Sequence, residues 1–198
     1  TSSEGAWWID IALRRFPIPT GFLKAGRNEI TLSCDFTANL NFEAIYLLGS
    51  FGVKTGNASA TLGRLPEHLA PGPLAGQGLP FYSGTVSYRL GALPGEPGPG
   101  RTLLYFPSFG AALLKVNGEA CAFPPYEVDI TGLLAASKEI IVDTVLTRRN
   151  TFGPLHQVPL IAPSYGPPSW LTSGEAFTPS YQLIPSGILE APVLLEQA

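Results

Sequence analysis

Methionine is absent from this 198-residue chain, and cysteine (2), histidine (2) and charged residues (14%) are scarce. Each shortage narrows what the chain can be. Two cysteines build no disulfide framework. Cys34 and Cys121 each fall in or beside an apolar alternation that turns them inward, so two buried free thiols are the simpler expectation than a disulfide. His68 and His156 have no Cys/His cluster to join, which argues against a zinc site. Cations never group beyond Arg14-Arg15 and Arg148-Arg149, and the net charge is −3. A phosphate backbone needs several clustered cations, so no nucleic acid is expected as a partner. No apolar run reaches the length of a membrane-spanning helix, so no membrane partner is expected either. The H-E-x-x-H, G-x-S-x-G and P-loop patterns are missing. Thr1-Ser2-Ser3 in place of an initiator Met reads as a processed end, so a piece of a longer protein is expected.

Glycine (22) and proline (20) are plentiful, and 45% of residues are hydrophobic. No long helical period appears. Many short strands joined by turns is the expected layout, with helix below roughly a tenth of residues. Trp7 to Leu13 alternates as one strand, and its two tryptophans then face opposite sides. Asn28 to Phe36 reads as a strand with Ile30, Leu32, Cys34 and Phe36 inward. Phe42 to Leu48 is nearly all apolar and reads as a central strand covered on both faces. A weak strand near Ala58 to Leu62 precedes an irregular loop to Leu79. Thr85 to Leu90 is a strand with Val86, Tyr88 and Leu90 inward. Gly91 to Gly100 reads as a hairpin tip, with Arg101 to Phe106 as the returning strand. Tyr181 to Ile184 and Ile188 to Leu195 offer last strands that could pair with the N-terminal one.

The richest stretch runs from Ala112 to Asn150. A short apolar run ends at Asn117-Gly118, a pair that prefers positive φ and closes tight hairpins. After the Pro124-Pro125 break, Tyr126, Val128 and Ile130 alternate with Glu127, Asp129 and Thr131. Gly132 to Ser137 is too short for a packed helix and reads as a turn. Lys138 to Thr147 is the best strand, with Ile140, Val142, Thr144 and Leu146 on one face. Val116-Asn117-Gly118, then Asp129-Ile130-Thr131-Gly132-Leu133-Leu134, then the strand from Glu139 resembles the galactose-binding-like (jelly-roll) sandwiches of multidomain glycoside hydrolases, family 2 and the rhamnosidases among them. Ser137-Lys138-Glu139 departs from the Gly-x-Asn usual before the last strand. The resemblance covers most of residues 22–160.

That resemblance implies an all-β, antiparallel β-sandwich: residues 1–198 as a single domain, with a Pro/Gly-rich irregular segment at 151–180. It implies a non-catalytic carbohydrate-binding or accessory module of a larger bacterial glycoside hydrolase. The partners would be a glycan and the neighbouring catalytic domain of the same polypeptide. A purely structural interdomain module, or a hydrolase fragment with its own activity, are the alternatives. Sandwiches of this kind often carry a structural calcium, but no oxygen-ligand loop is recognisable, so no cofactor or metal ligand is assigned.

For chemistry, a glycosidase needs paired carboxylates across a cleft, and none can be placed together. Asp10, Asp35 and Asp143 sit on outward strand faces. Asp129 suits a turn where it accepts backbone N–H bonds. No catalytic residue is assigned. Sugar recognition uses aromatic faces and planar polar groups. Aromatics at loop or strand-end positions are Phe106, Phe109, Tyr126, Tyr165 and Trp170, for most of which core packing is the plain alternative. The candidate ligand site is Arg148, Asn150, His156, Tyr165 and Trp170, delivered by the end of the best strand and the stiff run after it. The opposing reading is that Arg148 and His156 merely satisfy backbone carbonyls in a crossing segment.

Overall fold

The structure is a computed structural model that describes residues 6–38, 44–91, 100–136, 138–160 and 164–197. The chain forms two compact units, Thr1–Leu47 and Leu48–Ala198. Among the described residues, strand accounts for 30% and helix for 11%, so the protein is mostly β with antiparallel sheets. Every helical piece among the described residues has five residues or fewer.

In the first unit, the single strand expected over Trp7–Leu13 is instead a small antiparallel hairpin. Strands β1 (Trp7–Trp8) and β2 (Asp10–Arg14) turn about Ile9, whose φ is 63°. The Asp10 carboxylate accepts from the Ala12 N–H at 2.8 Å and steadies that turn. The reversal separates the two tryptophans: Trp8 packs on Tyr46 with ring centroids 5.4 Å apart, and Trp7 is half exposed. The strand expected over Asn28–Phe36 does not form. Ile30, Leu32, Cys34 and Phe36 are exposed, which corrects both the inward face and the buried Cys34. Residues 44–48 are also irregular, with Ile45, Leu47 and Leu48 exposed, and the earlier part of that expected strand lies outside the described residues. Alternation is only permission to be a strand; without a partner ladder and a face to cover, the backbone bonds go elsewhere.

The second unit holds the core. It begins with the hairpin of β3 (Gly52–Gly56) and β4 (Ser59–Gly63). Then come β5 (Thr85–Leu90), β6 (Arg101–Tyr105), β7 (Phe109–Gly110), β8 (Leu113–Val116), β9 (Glu119–Cys121) and β10 (Glu127–Asp129). A one-turn helix α1 (Thr131–Ala135) follows, where a plain turn was expected. Next are β11 (Ile140–Val145), helix α2 (Arg149–Phe152), β12 (Gly187–Ile188) and β13 (Val193–Gln197). One antiparallel sheet runs β5-β11-β8-β9 and a second runs β10-β6-β13. β5 and β6 therefore do not form the expected hairpin: β5 pairs with β11, and β6 pairs with β10 and β13. The last strand finds its partner in β6.

The alternation of β11 sets the core face. Ile140, Val142, Thr144 and Leu146 are all buried, and the opposite face is half exposed. Val86 and Tyr88 of β5, Leu114 and Val116 of β8, Leu104 of β6, and Val128 and Ile130 around β10 join them in one cluster. Both sheets thus contribute to a single apolar core, with each large side chain contributing about 1.5–3 kcal/mol by leaving water. Asn117 and Gly118 take φ of 47° and 90°, the two-residue turn that the Asn-Gly pair favours. The Asn117 amide also bridges to β11, donating to the Glu139 carbonyl (2.8 Å) and accepting from the Ile141 N–H (2.9 Å).

The stretch before Leu79, read as an irregular loop, contributes a core residue. Leu74 is fully buried. Gln77 clamps the loop through its side-chain amide, accepting from Ala70 N–H and donating to the Ala70 and Gly72 carbonyls. The Gly72 and Leu74 N–H groups bond to the Ile188 and Ser186 carbonyls. At Gly110 the Pro185 backbone approaches so closely that no side chain larger than hydrogen fits.

Candidate functional site

β11 ends at Val145, and α2 begins at Arg149, three residues beyond Leu146. The expected ligand residues sit here, but most of their polar groups already have partners in the chain. Asn150 is buried, at 4% exposure. Its amide donates to the Ile184 carbonyl and accepts from the Ile184 N–H, both at 2.9 Å. That reciprocal pair replaces a strand ladder for the segment 181–186, where a strand was expected at Tyr181–Ile184 and none forms. Thr151 is also buried and donates its hydroxyl to the Phe81 carbonyl at 2.7 Å. α2 is thus a bolt that fastens two distant segments, and sequence reasoning missed Thr151, for which no pattern stood out.

His156 is half-buried. Its Nδ1 lies 3.1 Å from the Thr178 carbonyl and must donate to it, because a carbonyl only accepts. The Thr178 N–H returns a bond to the His156 carbonyl at 2.9 Å, and the imidazole packs 5.0 Å from Tyr181 and 5.9 Å from Phe177. Of the two readings of His156, the backbone-satisfying one is what the geometry displays. Leu155 and Val158 are held through backbone bonds to Gln182 and Ala176. Val158 is exposed, so at that residue the backbone bond rather than side-chain burial holds the segment.

Arg148 is exposed, and its carbonyl accepts from the Thr151 and Phe152 N–H groups. Arg149, its neighbour, is the arginine that meets an aromatic. Its guanidinium lies over the Tyr165 ring at 5.1 Å and donates through Nη2 to the Leu160 carbonyl at 3.3 Å. Tyr165 donates its hydroxyl to that same carbonyl at 3.0 Å, with 42% of the residue exposed. Trp170 follows the short turn Pro167–Ser169 and is 53% exposed. The Ser169 hydroxyl accepts from the Gly166 N–H and fixes that turn. The remaining aromatic candidates belong to the core: Phe106 is 1% exposed, and Phe109 and Tyr126 pack edge-to-face at 4.8 Å.

Three carboxylates of this region, Asp129, Asp143 and Glu139, are engaged locally. Asp129 accepts from the Thr131 hydroxyl (2.6 Å), the Thr131 N–H (3.0 Å) and Arg101 Nε (2.8 Å). Those donors, the Thr131 hydroxyl first, lower its pKa from 3.8 to about 2. Asp143 accepts from the Ser87 hydroxyl, and Glu139 pairs with Arg89. Among the described residues, no group of three His, Cys, Asp or Glu side chains is placed to hold a metal ion.

A cleft of about 610 Å³ opens between β5 and the segment 188–194, with Glu67 and His68 among its lining residues. Val86, Leu90, Leu104, Ile188 and Leu194 line it, so it is mostly apolar. Tyr88 also lines it, but its hydroxyl sits near Leu74 and Gly187, deep in the core. Ser87 and Arg89 line it as well, so the cleft carries polar groups beside its apolar wall.

Comparison with family models, with curated proteins and with solved structures finds no match to this chain.

Proposed function

We propose that the Leu48–Ala198 unit is a jelly-roll β-sandwich of the galactose-binding-like kind, serving as a non-catalytic glycan-binding or accessory module of a larger bacterial glycoside hydrolase. Two antiparallel sheets sharing one core support the sandwich part. The turn at Asn117-Gly118 and the Asp129–Thr131 turn are local structures that the resembling motifs call for.

The observation that carries the binding part is a division of labour after β11. Asn150, Thr151 and His156 hold the segment through backbone bonds, and Tyr165 and Trp170 are left substantially exposed on it. Two substantially exposed aromatic side chains suit the C–H face of a sugar ring. The ligand groups are then Tyr165, Trp170 and the arginine pair, with Asn150 and His156 as positioning residues. Trp170→Ala should weaken glycan binding several-fold, measured by calorimetry or on a glycan array, and leave the melting temperature nearly unchanged. A sharp drop in melting temperature with intact binding would assign Trp170 to packing and remove the site.

The structural-module reading draws on a different observation, the exposed apolar side chains. Phe123 is 81% exposed on the loop before Pro124-Pro125. On that reading the chain binds no glycan, and Phe123→Ser loosens its docking to a neighbouring domain without changing its own stability.

A further inference from the structure

Resting on the glycan-binding reading above, we propose that the sugar this module takes is anionic, a ring bearing a carboxylate or sulfate, and that Arg149, with Arg148 beside it, is the selecting charge. Arg149 is half-buried, and its guanidinium is held by one carbonyl, Leu160, and one ring, Tyr165. Its Nη1 is shut against Gly153 and has no hydrogen-bond partner. The ion pairs among the described residues are Arg89–Glu139 and Arg101–Asp129, and neither Arg148 nor Arg149 takes part in one.

A cation drawn partly out of water without a counter-charge is unfavourable. The face of Tyr165 offsets only part of that cost. Because the charge is delocalised over the whole guanidinium, an anion at its outer edge compensates it, and the planar fork suits carboxylate and sulfate alike. Exposed Arg148 adds a second positive charge at the same strand end. Tyr165, which already carries the guanidinium, is also one of the two aromatics proposed to meet the sugar ring. The ring and the charge would thus be read within one side chain's reach.

The test uses the full chain and matched oligosaccharides that differ only at C6: hydroxymethyl, sulfate ester or carboxylate, on both gluco- and galacto-configured rings. Binding is measured by calorimetry in low and high salt. The anionic forms should bind roughly tenfold more tightly than the neutral one at low salt, as for a charge-assisted contact. The gap should narrow as salt rises. Sulfate against carboxylate preference separates the two sources of anion. Arg149→Gln should abolish the gap, and Arg148→Gln should reduce it at unchanged melting temperature. Because Arg149 also bonds Leu160, a loss of binding in Arg149→Gln counts only if that variant melts as the parent does; the exposed Arg148 variant carries the test otherwise. Equal affinity for neutral and anionic sugars would overturn the inference and leave the glycan reading standing. An anion preference untouched by either substitution would place the selecting charge elsewhere and overturn it too. No binding to any of the sugars would remove both.

Discussion

Thr144 lies on the core face of β11, wholly buried, and its hydroxyl has no partner. An unpaired buried hydroxyl carries its desolvation penalty without a compensating bond. Thr144→Val keeps the shape and removes the hydroxyl, so it should stabilise the protein by about 1 kcal/mol in urea unfolding. A loss of stability would mean that the hydroxyl has a bonding partner in solution. Asn150 is the opposite case. Removing its amide strands the Ile184 N–H and carbonyl in a partly buried position, so Asn150→Ala should cost about 1–2 kcal/mol in the same measurement. A free ligand residue would show no such cost, and only binding would suffer.

At the scale of elements, the Asn117-Gly118 turn joins three strands. It closes β8 onto β9, and the Asn117 amide ties both to the start of β11. Asn117→Ala loses two hydrogen bonds and puts a residue with less tolerance for positive φ at 47°. A cost of about 1–2 kcal/mol is expected, moderated by the exposure of the turn. The turn between β10 and α1 has a pH signature. Because the folded-state pKa of Asp129 lies below its ordinary value, its ionised form stabilises the fold above about pH 4, and that contribution is lost as pH falls from 4 towards 2. Asp129→Asn should therefore flatten the urea midpoint against pH in that window while leaving the midpoint at pH 7 lower. An unchanged slope would show that other carboxylates govern the acid limb.

At the scale of the molecule, every residue of the buried cluster falls within Leu48–Ala198. A polypeptide of residues 48–198 should then unfold cooperatively with a β-type circular dichroism spectrum. A broad, non-cooperative transition would show that residues before 48 complete the core.

By itself, the sequence determined the strands whose local signals agreed with one another. β5 and β11 were legible because period-two alternation runs over six residues in each, and the hairpin of β8 and β9 because Asn-Gly admits the positive φ that its turn requires. Asp129 was legible because one of its partners, Thr131, stands two residues away. Tertiary structure decided what depends on distant partners. It turned Ile9 into a reversal, left Asn28–Phe36 without a ladder, and sent β5 and β6 to different sheets although ten residues of turn-rich sequence join them. It also gave two of the candidate residues distant backbone partners. Nothing within Arg148–His156 announces that Asn150 will meet Ile184 or that His156 will meet Thr178, since those bonds span 34 and 22 positions. Which polar groups are left open for a ligand follows from which backbone groups come near enough to claim them, and that proximity is created only when the sheets close on their common core.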